Sequence, residues 1–256
     1  MLQILRSKAS SPNPHFTKQP RKKEEDNVAW LSRLDPGGVR IIVVGGRDHT
    51  SFRVRVAQSH ARDDMTPSHW SHAALVVDPD AKLADDSTQL HHVPLEPSVK
   101  LSALLKRNGV ETTRPSEFKN VRSYPNIAVL RLEAPAAEVK NLATAFRRMR
   151  ASTDAIEHVL GWLAFVCGVG RASNPLVDGI GLPSAVLIEL ALGGAGFELT
   201  PGLPNRASCP EGIWQAAKWW HEFHAAGAAP PAASPQPPPA LQGSYCIEHS
   251  IGAEFT

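Results

Sequence analysis

Cysteine is scarce: only Cys167, Cys209 and Cys246 occur in 256 residues, far apart and with no CxxC pair. An odd, scattered set argues against a disulfide framework or a cysteine zinc knuckle, and it fits a reducing compartment. A dominant charge is missing too. Lys and Arg number 27 against 25 Asp and Glu, a net +2, so no overall field calls for nucleic acid or an anionic membrane. The basic cluster Lys18, Arg21, Lys22, Lys23 is followed at once by Glu24, Glu25 and Asp26, which reads as a solvated, self-neutralising stretch. No apolar run reaches bilayer length; those near 159–168 and 183–195 are broken by Gly, Pro or Glu. The first 26 residues hold no apolar core of a secretory signal, and a cytoplasmic protein is expected. There is no GxGxxG, Walker lysine or HExxH. Gly45–Gly46 and Gly168/Gly170 therefore read as turns, and no cofactor or metal is expected.

What is present is ordinary globular material, 42% hydrophobic and 20% charged. Residues 1–27 read as a flexible polar arm. Residues 28–224 form the domain, and 225–256 form an Ala/Pro-rich linker with a tail whose last segment is either a returning strand or loose chain. Within the domain, VRIIVVG (39–45) reads as a buried strand, and SFRVRVA (51–57) as a half-exposed one because it alternates. HAALVVD (72–78), QLHHV (89–93) and NIAVLRL (126–132) read as further strands. Helical spacing then takes over at 135–150, 153–167, 183–193 and 209–224. Strands first and helices later indicate an α+β layout.

Two positions attract a chemical reading. Cys209 follows Ser208, a suitable N-cap, and precedes Pro210, which suits a first helical turn. At a helix N-terminus, free N–H groups and the dipole favour a thiolate and can hold an oxyanion. The alternative is a small buried hydrophobe, a common fate of free cysteine. His72 stands where a polar segment enters an apolar strand, a rigid mount for a general base, and His69 competes with it. His91 and His92 would point to opposite faces of their strand, so one of them can orient His72. Their alternative role is as exposed edge-strand residues. A histidine metal site is disfavoured, because HxxH shares a face only on a helix and HAALVVD reads as strand. Cys167, in the apolar WLAFVC run, reads as core.

The S-H-x-x-L-x-V setting of His72, the polar residue in LHHVP on the next strand and a later cysteine opening a helix resemble the circularly permuted papain-like fold, in its YiiX-type and LRAT-type branches of the NlpC superfamily. The resemblance covers about 39–97 and 205–224. It implies an antiparallel sheet packed on helices, with 110–200 as a helical insertion. It also implies a bacterial cysteine hydrolase, peptidase- or amidase-like, that forms a thioacyl intermediate. In that reading Cys209 is the nucleophile, His72 the base and His92 the third residue, with His91 favoured instead by LRAT-like spacing. A protein or peptide substrate is implied. The contrasting reading is a non-catalytic binding module on the same fold, with Trp214, Trp219, Trp220 and the Pro-rich segment as contact features.

Overall fold

The computed structural model describes residues 16–76, 78–98, 100–149, 154–225 and 241–251. The Ala/Pro-rich stretch and the first half of the expected N-terminal arm lie outside them. The described chain is a mixed α+β structure. Its strands are β1 (Phe16–Lys18), β2 (Val39–Gly45), β3 (His72–Val76), β4 (Leu90–His92), β5 (Glu111–Thr113), β6 (Asn126–Leu132) and β7 (Gln242–Cys246). Its α-helices are α1 (Asn27–Arg33), α2 (His49–Ala57), α3 (Leu101–Lys106), α4 (Ala136–Phe146), α5 (Ala155–Val166), α6 (Pro183–Gly194) and α7 (Pro210–Ala225). The strands make one open sheet in the order β1-β7-β6-β2-β3-β4-β5. Every pairing is antiparallel except β1 with β7.

β2 is central because it is apolar on both sides; all seven of its residues are buried. One face of the sheet carries Ile41, Val43, Ala73, Leu75, Ala128 and Leu130, under α2 and α4 to α7. The other carries Ile42, Val44, Ala74, Val76, Ile127 and Val129, covered by Trp30 and Leu31 of α1 and by Phe118. α7 is amphipathic, burying Ile213, Trp214, Ala217 and Trp220 at helical spacing.

Three expectations need correction. SFRVRVA is helix, not strand. Asp48 caps it, its carboxylate accepting the Ser51 N–H at 2.8 Å, and the helix buries Ser51, Val54, Arg55 and Ala57, leaving Phe52 and Val56 partly exposed. A side chain that completes the helix start outweighed an alternating pattern. Residues 110–200 are not a helical insertion beside a finished sheet: they supply edge strand β5 and inner strand β6. α4, α5 and α6 share a hydrophobic core with the sheet and α7. Residues 16–27 of the expected arm are also built in, and the last described segment takes the returning-strand form, one of its two expected forms. β7 lies between β1 and β6, and Gln19 N–H bonds the Tyr245 carbonyl, extending the β1–β7 pairing. Arg21, from the expected arm, is ion-paired with Glu248 at 2.6 Å.

Candidate active site

The end of β2 sets the geometry. Gly45 leaves no room for a side chain, since a Cβ there would sit 1.9 Å from the His69 carbonyl oxygen. Gly46 is closed in the same way by the Ser51 hydroxyl at 2.2 Å, so the two glycines let β2, α2 and the 69–71 segment converge. The Gly46 N–H donates to Ser71 Oγ at 2.9 Å, which fixes the residue before His72. β3 then starts at His72, opposite Val44.

Across β3, β4 and β5 the register groups three polar residues on one face. His92 lies opposite Glu111, and the β3–β4 register places it diagonal to His72. His72 Nε2 and His92 Nδ1 are 2.8 Å apart, the rings nearly perpendicular at 82°. Phe118 flanks both rings, at centroid distances of 6.0 and 6.5 Å. Burial holds both imidazoles neutral. It pushes His92 down to about 4, with nearby His91 adding to the shift, and it lowers His72 well below the ordinary value, with His92 adding. The pair opens on a cleft of about 390 Å³, walled also by the first turn of α2, Tyr124 and the carboxylates of Asp48, Glu96, Glu111 and Glu117. These carboxylates accept from neutral donors: Asp48 from Ser51, Glu96 from Thr50 and Glu111 from Ser98.

The structure thus brings His72 and His92 together and settles which of the neighbouring histidines meets His72. His91, opposite Leu75, points to the other face, where Lys140 of α4 and Arg147 just past its end act on it. His69 does not line the cleft. Burial and the charges of Arg62 and Arg55 push it down to about 4.

Cys209 does not join the pair. It is 5% exposed and belongs to the core on the opposite sheet face, with Ala73 and Leu75. Its carbonyl accepts the Ile213 N–H and its sulfur accepts the Gly212 N–H at 3.4 Å, so the cysteine itself caps α7. The next N–H, of Glu211, is taken by Gln58 at 2.9 Å. The donors expected to hold an oxyanion are therefore in use. Burial pushes the Cys209 thiol up to about 12, and the Glu211 and Glu189 carboxylates add to this against the favourable N–H contacts. No histidine hydrogen-bonds it among the described residues. A helix N-terminus was legible around Cys209; which sheet face it would meet was not. On the histidine face the cysteine is Cys246, in a row with Ile127, Val44 and His72. Three strand spacings, roughly 14 Å, separate it from His72. Cys167, read as core, is exposed.

The acidic wall is the feature that sequence reasoning missed. Its carboxylates come from four different elements, and only the fold brings them to one rim. Among the described residues no group of three His, Cys, Asp or Glu side chains is placed to hold a metal ion, and no helix is long and apolar enough to cross a membrane. In comparisons with known proteins, no family model, no curated protein and no solved structure matches this chain.

Proposed function

We propose that the chain is a hydrolase whose acid–base centre is the His72–His92 pair, with water as the attacking group. The 2.8 Å bond between the two rings at the wall of the cleft carries this reading. Two neutral imidazoles joined by one hydrogen bond hold one lone pair and one N–H at their outer nitrogens, whichever ring donates. With His72 Nε2 donating, His72 Nδ1 is the base and His92 Nε2–H the acid. Water gives a proton to His72 Nδ1, the Nε2 proton of His72 passes to His92 Nδ1, and His92 Nε2–H protonates the leaving group. The hydroxide adds to the carbonyl, the bond to the leaving group breaks, and the pair ends in its other neutral tautomer. No lasting imidazolium forms, which suits a site where burial disfavours one.

The hydrolase class comes from the resemblance to permuted papain-like enzymes; His72 keeps the base role that resemblance implies, while His92, its third residue, here becomes the acid. The thioacyl step does not carry over, because Cys209 is spent on capping α7 across the sheet. A binding module is the second reading. Its support is that the hydroxyls around the pair are engaged elsewhere, Ser51 with Asp48, Ser71 with Val44 and Ser98 with Glu111.

The test is turnover on a panel of peptide, amide and ester substrates. His72→Ala and His92→Ala are each expected to lower kcat about 10²-fold or more, while Cys209→Ala keeps most of it. The kcat profile should stay flat down to about pH 5 and fall near pH 4 as His92 takes a proton. Activity that survives in His92→Ala and vanishes in Cys209→Ala would return the thioacyl route. Ligand binding at the cleft with no turnover would favour the binding module.

A further inference from the structure

The cleft is chemically one-sided. Asp48, Glu96, Glu111 and Glu117 line it, from the cap of α2, the loop after β4, β5 and the 3-10 turn Pro115–Phe118, and no lysine or arginine lines it. Among the described residues none of the four carboxylates is ion-paired. Three of them act on one phenol: burial raises the Tyr124 pKa, and the charges of Asp48, Glu117 and Glu96 raise it further. A concave site with several uncompensated charges of one sign concentrates ligands of the other sign.

A second feature is a histidine edge turned toward the cleft. His92 is 7% exposed, and its Nδ1 is taken by His72. Its Nε2 has no protein partner, although the ring lines the cleft. That nitrogen is not one of the buried polar atoms left without a partner, so it opens onto the cleft and can meet whatever enters. Phe118 and Tyr124 add aromatic walls, at 5.3 Å from one another, beside the carboxylates. Aromatic faces next to carboxylates suit an organic cation with an alkyl stem. A metal ion fits less well, since the carboxylates stand on four separate elements with no three converging.

We infer that this cleft selects a cationic ligand, an ammonium or guanidinium group on a short alkyl arm such as a lysine or arginine side chain, as the recognised part of the substrate. This rests on the reading of the His72–His92 cleft as the functional centre, and it names the substrate class. The cation sits among Glu96, Glu117 and Asp48 against the Tyr124 and Phe118 rings. The bond to be hydrolysed then lies toward His72 and His92.

The test is calorimetric titration of the full chain with N-acetyl-arginine amide, with N-acetyl-norleucine amide and N-acetyl-glutamate amide as controls. The arginine probe should bind at least about tenfold tighter than the norleucine probe, and the glutamate probe should not bind. Glu96 and Glu117 are exposed, so the Glu96→Gln/Glu117→Gln variant should fold normally. It should weaken the arginine probe about tenfold, and added salt should do the same to the wild type. Equal binding of arginine and norleucine probes, or unchanged binding in the double variant, would overturn the inference. So would zinc or calcium displacing the probe at lower concentration than the probe itself needs. The two proposals fail separately. Cation binding without hydrolysis of any arginine amide or ester sinks the hydrolase and leaves the ligand class standing. Hydrolysis of neutral substrates without cation binding does the reverse.

Discussion

Replacing Glu189 with Gln is expected to stabilise the protein by roughly 3 kcal/mol at pH 8 and to change little at pH 4. Glu189 is 1% exposed on α6, and burial raises its pKa to about 7 against the bonds it accepts from Thr200 and Ser208. The folded value lies above the unfolded one of 4.5. Between those values the native state keeps a proton that the unfolded state has lost. The contribution is therefore fully present below pH 4.5 and is lost as pH rises through 7. A glutamine keeps an acceptor for both hydroxyls and never ionises. Urea midpoints of wild type and variant at pH 4, 6 and 8 measure this. A gain that is the same at all three would mean that Glu189 does not hold a proton in the native state.

The histidine pair gives the second large effect, with the opposite sign. His92 falls from 6.5 unfolded to about 4 folded, so between these values the unfolded state binds a proton that the native state refuses. Stability from this residue is complete above pH 6.5 and is lost as pH falls toward 4, roughly 3 kcal/mol in all. His72 and His69 shift in the same direction. Over much of this window Glu189 partly hides the trend. In the Glu189→Gln background the acid destabilisation should stand out, and His72→Gln/His92→Gln should flatten most of it. A slope unchanged by removing both rings would place the acid sensitivity elsewhere.

Much of the fold was legible because local and tertiary demands agree. VRIIVVG and NIAVLRL are rich in β-branched and other apolar residues and form the inner strands β2 and β6 with the expected bounds. Pro183 opens α6, and Trp220 and Ala217 lie on the buried face of α7 as their spacing requires. SFRVRVA misled because two of its three alternating apolar residues, Phe52 and Val56, stay partly exposed; the Asp48 cap was the stronger signal. β1 and β5 are three-residue edge strands that leave no periodicity to read. Strand alternation made it legible that one of His91 and His92 could meet His72, but not which; the choice of His92 came from the family resemblance. The relation of Cys209 to that pair was not legible, because the cap of α7 describes only the helix end, while β3's alternation and the packing of α7 on Ala73's side of the sheet put the thiol on the other face.

The most direct test of the account is iodoacetamide labelling of each cysteine, read by mass spectrometry from about pH 5 to pH 9, in wild type and His72→Ala. The exposed Cys167 should label in the native protein, and Cys209 should label only on unfolding, with no change in His72→Ala. Rapid Cys209 labelling near pH 6 that disappears in His72→Ala would contradict the account and restore a cysteine–histidine dyad.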